Sequence, residues 1–178
     1  MTNRRFLWAI AFATLLGFAG CASRPVNPPI TQVDPNGGYT VQTRQKHFKS
    51  RDTLVVLAFS GGGTRAAAFS YGVLEFLKRT EVVAPDGAKL RLLDAVDMIT
   101  GVSGGSFTAF AYGLHGDDLF VDYEQRFLKR DVQGELIARA LNPQYWPDYI
   151  GGTAGRSELA ANYYDEILFN GAIFGHLD

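Results

Sequence analysis

The chain has 178 residues, with 17 Lys+Arg against 18 Asp+Glu, 47% hydrophobic and 13% aromatic residues, a composition that supports a packed core and excludes disorder over most of its length. A formal net charge of −1 offers no basic field to neutralise phosphates, so nucleic acid is not an expected partner. The 20 glycines fall in short clusters without a period, which marks tight backbone sites and excludes a collagen or repeat array.

Residues 1–20 read as a signal peptide: Arg4 and Arg5 form the positive start, Phe6 to Phe18 an apolar run, and Ala19-Gly20 the small residues before a cut. The run is too short to span a bilayer. Phe18-Ala19-Gly20-Cys21 resembles a bacterial lipobox, with Phe18 in place of the usual Leu. That resemblance implies cleavage before Cys21 and lipid attachment to its sulfur. With Ala22 in second place, it also implies an outer-membrane lipoprotein of the cell envelope facing the periplasm or the exterior. Cys21 is the single cysteine, so an internal disulfide is excluded. Residues 21–51 contain Arg24-Pro25-Val26-Asn27-Pro28-Pro29 and Asp34-Pro35-Asn36-Gly37-Gly38 and read as the anchor cysteine followed by a flexible tether.

The folded part is expected over residues 52–178. Thr53 to Phe59 is a continuous apolar, β-prone run that predicts a strand buried on both faces. Ser60-Gly61-Gly62-Gly63 ends it. A helix is expected from about Arg65 to Arg79, with Phe69, Val73, Leu74, Phe76 and Leu77 covering a broad face. The turn Pro85-Asp86-Gly87 leads to a second strand, Ala95 to Thr100, which stops at Gly101. Another helix, small and apolar all round, follows from Gly104 to Leu114. Strand, helix, strand, helix is the grammar of a parallel α/β sheet.

Both glycine turns therefore sit where a strand ends and a helix starts, the place where ligands bind in open α/β sheets. Gly101-Val102-Ser103-Gly104-Gly105 is a G-x-S-x-G nucleophile elbow. Ser103 sits on a sharp bend whose neighbours must lack a Cβ, and the helix amino terminus supplies free N–H groups and partial positive charge for a developing oxyanion. Gly61-Gly62-Gly63-Thr64-Arg65 offers consecutive N–H groups for an anion. No Lys-Ser/Thr follows either turn and neither has the dinucleotide spacing, so a nucleotide is not expected.

Ser60-Gly61-Gly62-Gly63-Thr64-Arg65, followed some 40 residues on by Gly101-Val102-Ser103-Gly104-Gly105, resembles the patatin-like phospholipases. The resemblance covers about Thr53 to Asp178. It implies a three-layer α/β/α fold with a mainly parallel sheet and hydrolysis of lipid acyl esters by a Ser-Asp dyad, without metal or cofactor. It also implies that Ser103 is the nucleophile, that the Gly61 to Gly63 loop with Gly104 forms the oxyanion hole, and that Arg65 belongs to the oxyanion loop. The expected partners are phospholipid or another acyl ester and a membrane surface. Ala66 stands where the family's loop often continues with Gly.

The family's aspartate lies in an Asp-Gly-Gly or Asp-Gly-Ala turn downstream of the serine, and the one such triplet here, Asp86-Gly87-Ala88, lies upstream. Asp86 would sit beyond the far end of a strand about 23 Å long, and Asp97 about 20 Å from Ser103 along it. His115 is about 17 Å along the following helix. The base is therefore expected outside these residues, and the domain is expected to be incomplete at its carboxyl end. His176, near Asp178, is the in-chain alternative. Leu119, Phe120, Tyr123, Phe127 and Leu128 predict a helix opened by Asp117 or Asp118, and Leu136, Ile137, Ala140 and Leu141 predict another. Asn142 to Tyr149 is an aromatic loop, open to a packing role or to lipid contact. Ser157 is expected to cap a last helix running through Leu168 and ended by Asn170-Gly171. An acyltransferase using the same elbow and a non-catalytic lipid-binding module are the alternatives to a hydrolase.

Overall fold

The computed structural model describes residues 29, 31, 32, 53–84, 87–146 and 155–177. The residues expected to form a signal peptide, Cys21, nearly all of the expected tether, Pro85-Asp86, Pro147 to Tyr149 and Asp178 lie outside the described residues. Two compact units are present, one of Ile30–Arg130 with Asp165–Asp178, the other including Asp131–Tyr164.

In the first unit, β1 (Val56–Phe59) leads into α1 (Gly63–Arg79), and β4 (Met98–Gly101) leads into α2 (Gly104–His115). Between them β2 (Glu81–Val83) and β3 (Lys89–Arg91) form an antiparallel hairpin, and Leu92–Ala95 is one tight helical turn. β1 and β4 pair in parallel, with Val56 opposite Met98 and Phe59 opposite Gly101. This is the expected α/β arrangement, and the register brings both glycine turns to the same end of the sheet.

The second strand is shorter than expected because Leu92–Ala95 coils, and Asp97 falls just before it. The carboxylate of Asp97 accepts the Val55 N–H at 2.9 Å, fastening the start of β1 to the start of β4. The hairpin was not expected; Val82 and Val83 are its β-prone signal, too short to stand out from the turn that follows. β1 is not buried on both faces. α2 covers the side carrying Phe59, which is buried, whereas Leu54, Val56 and Ala58 are exposed on the alternate positions.

α1 packs on α2 through small and medium side chains, not through its phenylalanines. Ala67, Ser70, Tyr71 and Leu74 are its buried residues, and Thr108 and Ala111 answer from α2. The Thr108 hydroxyl donates to Ala67 O at 3.0 Å, a bond that close approach between helices permits. Phe69 and Phe76 lie on the other side of α1, exposed. α3 (Leu119–Tyr123) continues into a wider turn over Glu124–Leu128, burying Leu119, Tyr123 and Phe127 at a spacing of four. Asp118 precedes it but makes no side-chain cap; Asp117 instead pairs with Arg91 and Lys78.

In the second unit, Asp131 caps α4 (Val132–Leu141) by accepting the Gly134 N–H at 2.9 Å. α5 (Arg156–Tyr164) packs on α4. Ser157 lies inside α5 and is not its cap; the Gly155 N–H is held by the Glu158 carboxylate at 2.8 Å. The wider turn Asp165–Phe169 follows in the first unit, ended as expected by Asn170 and Gly171, whose φ values are 49° and 77°.

Candidate functional site

Ser103 follows β4 by one residue and immediately precedes α2, with φ 51° and ψ −122°. A non-glycine residue with positive φ is strained, and it persists only where its surroundings hold it. Three backbone bonds do so here. Val102 N–H donates to Phe59 O at 3.0 Å, Gly105 N–H to Val102 O at 3.1 Å and Ser106 N–H to Ser103 O at 2.9 Å. The Ser106 hydroxyl donates to the same Ser103 carbonyl at 2.5 Å. These bonds occupy the amides of Gly105 and Ser106, and Gly104 N–H makes no hydrogen bond among the described residues. Ser103 itself is exposed.

The glycines around it are there for space. A Cβ on Gly101 would stand 2.6 Å from the Ser106 backbone, and one on Gly105 2.6 Å from Ser60 O. A Cβ on Gly104 would run into the Gly63 carbonyl. The two turns thus lie against each other, Gly61 beside Ser103 and Gly63 beside Gly104. Gly62 has φ 145° and Gly63 φ 63°, conformations that turn the chain from β1 into α1 and suit glycine. The first N–H groups of α1 have no intrahelical partner. Arg65, exposed in that first turn, makes no ion pair among the described residues.

The serine and both glycine loops named from the sequence are therefore brought together. Among the described residues, the candidate bases Asp97, His115 and His176 are not brought to them. Asp97 is bonded at the opposite end of β4. His115 ends α2, its Nε2 3.1 Å from Leu168 O. His176 Nδ1 accepts the Ile173 N–H at 3.3 Å within its own turn. Two supports were not legible from spacing: the Ser106 hydroxyl bracing the bend, and the Thr108 hydroxyl joined to Tyr123 Oη at 2.9 Å behind it. Beside the bend a cavity of about 770 Å³ opens at Gly101 and Ser106 and extends along β4 and α2, walled by Met98, Ile99, Phe110 and Phe169.

No curated protein and no solved structure gives a match to this chain. A family model described as patatin-like phospholipase matches residues 57–172, a span that begins in β1 and includes both glycine turns. On that match, over more than half of its length, the chain belongs to the patatin-like phospholipase family.

Proposed function

We propose that the chain contributes the nucleophile and oxyanion half of a serine-dependent lipid acyl hydrolase. Ser103 attacks the ester carbonyl, and an aspartate outside these 178 residues takes its proton. The tetrahedral oxyanion is received by backbone N–H groups at Gly61, Gly62, Gly63 and Gly104, with Arg65 in the adjoining turn of α1. The observation that carries this reading is the strained φ of Ser103 at the amino terminus of α2, directly against a loop of three glycines. Family membership supports a lipid ester as substrate, and the apolar cavity beside the bend suits an acyl chain. A fluorophosphonate probe applied to the complete polypeptide tests the nucleophile: labelling is expected at Ser103 and lost in Ser103→Ala, with Ser60→Ala and Ser106→Ala still labelled. Equal labelling of Ser103→Ala removes the assignment.

From Arg4, Arg5, the apolar run and the lipobox-like Phe18-Ala19-Gly20-Cys21 we also propose a protein of the bacterial envelope, anchored through a lipidated Cys21 that begins the mature chain. A thioether-linked diacylglycerol would make that anchor stable where one acyl chain would not. Mass spectrometry of the amino-terminal peptide after expression in a Gram-negative host is expected to find the modified cysteine. An unmodified Cys21, or a Cys21→Ser protein equally bound to membrane, would remove the anchor and leave the hydrolase reading intact.

A further inference from the structure

Of the three amides that open α2, one is left to receive an oxyanion. Gly105 N–H donates to Val102 O and Ser106 N–H to Ser103 O, whereas Gly104, the first residue of the helix, has no intrahelical acceptor for its N–H. The direction of that N–H is set from outside Gly104. It belongs to the planar peptide that joins Ser103 to Gly104, and no peptide among the described residues is cis, so the N–H points opposite to the Ser103 carbonyl. Whatever holds the carbonyl aims the N–H.

Ser106 holds it twice. Its amide donates to Ser103 O at 2.9 Å and its hydroxyl donates to the same oxygen at 2.5 Å, a donor for each of the carbonyl's two lone pairs. Any residue but proline at 106 could make the amide bond; the second bond needs a hydroxyl. The extra hold matters because Ser103 is strained, with φ 51° and ψ −122°, and relaxation about its ψ would swing the carbonyl and the Gly104 N–H together. Hydrogen bonds accepted by a carbonyl also polarise the amide that carries it, so the same two donors strengthen the N–H that they aim. Ser106 borders the cavity beside the bend as well, which makes direct contact with substrate the competing role for its side chain.

We infer that Ser106 is a positioning residue of the oxyanion hole: through the Ser103 carbonyl, its hydroxyl aims and polarises the Gly104 N–H toward the place where the ester oxygen becomes negative. This rests on the reading of Ser103 as the nucleophile of an acyl hydrolase. In the complete polypeptide, Ser106→Ala is expected to be labelled at Ser103 still, but about tenfold more slowly. On a short p-nitrophenyl ester it should lower kcat by about tenfold with KM unchanged, a smaller loss than the roughly 10²- to 10³-fold that follows deletion of an oxyanion donor. Ser106→Thr keeps a hydroxyl that can reach the carbonyl three residues back and is expected to restore both rates. A second readout needs no turnover. With isotope-labelled glycine in the same polypeptide, the Gly104 amide proton is expected to move upfield in Ser106→Ala, as its polarisation falls, and to stay near the parent position in Ser106→Thr. A kcat and labelling rate that Ser106→Ala leaves unchanged overturn the proposal. So does a rise in KM alone, which would make Ser106 a wall of the cavity, and so does a loss of labelling matched by loss of folded protein in urea. Label at Ser103 with a Gly104 proton that does not move defeats the positioning role alone, and a proton that moves in a polypeptide that never labels defeats the hydrolase alone.

Discussion

Gly61 lies against Ser103: a Cβ built on the glycine would stand 3.3 Å from the serine Cβ, closer than ordinary van der Waals contact. Gly104 is tighter still, because its Cβ would meet the Gly63 backbone, with Gly63 C at 2.7 Å and N at 3.0 Å. Backbone cannot swing aside as a side chain can, so the two positions should respond differently to one added methyl. Gly104→Ala is expected to lower stability by about 1–3 kcal/mol and to abolish fluorophosphonate labelling by parting the two turns. Gly61→Ala should keep its urea midpoint and lose only part of its labelling. A Gly104→Ala protein with the parent's midpoint and labelling would mean that the turns are not in register.

Strain at Ser103 gives a second contrast. The positive φ costs a non-glycine residue about 1–3 kcal/mol, whereas glycine adopts it freely. Ser103→Gly should therefore raise the free energy of unfolding by about 1 kcal/mol after the extra entropy of an unfolded glycine is allowed for, while Ser103→Ala gains nothing. Both lose labelling. Chemical denaturation of the three proteins checks this, and equal midpoints for Ser103→Gly and Ser103→Ala would show that the bend is unstrained.

The parts of the site set by local geometry were readable before any coordinates. G-x-S-x-G needs glycine at 101 and 105 because Ser106 and Ser60 backbone atoms occupy the space of a Cβ, and the spacing alone implies such crowding. The parallel pairing of β1 with β4 followed from two strands each leading into a helix. What failed depended on partners. Phe69 and Phe76 have the right period for a core face, yet α1 meets α2 through Ala67, Ser70 and Leu74, because small residues let the two helices approach until Thr108 can bond to Ala67. Hydrophobic period shows that a helix is amphipathic without showing which of two neighbouring faces another helix will choose. Likewise Ser157 has the chemistry of a cap, but Glu158 reaches back to Gly155 first.

The Thr108 and Tyr123 hydroxyls meet in the core behind the bend, and burial pushes the Tyr123 phenol well above its ordinary pKa, a shift the Thr108 hydrogen bond partly opposes. The folded state thus keeps a proton that the unfolded chain releases near pH 10. Its contribution to stability is complete below that pH and is lost as pH rises toward the folded value. Tyr71 and Tyr112 are raised in the same direction, chiefly by burial, and add to the slope. Tyr123→Phe should cost about 1 kcal/mol at pH 8 through the lost hydrogen bond, and should fall less between pH 8 and pH 11 than the parent does. Urea midpoints at the two pH values decide it; an identical fall in both proteins would assign the alkaline loss to other groups.

The last expectation concerns the proton on Ser103. A general base contributes about 10²- to 10⁴-fold, and the candidate bases among the described residues are committed elsewhere: Asp97 to Val55 N–H, His115 beside Leu168 O and His176 to Ile173 N–H. The 178 residues alone are therefore expected to hydrolyse short p-nitrophenyl esters hardly faster than buffer, with any residue of activity coming from the oxyanion amides. Adding the aspartate-bearing segment of the complete polypeptide should restore Ser103-dependent turnover. Robust turnover by the 178 residues, lost in Ser103→Ala, would place the base within them. His176→Gln would then be the first variant to make, because His176 is the in-chain alternative that the sequence offers, near Asp178.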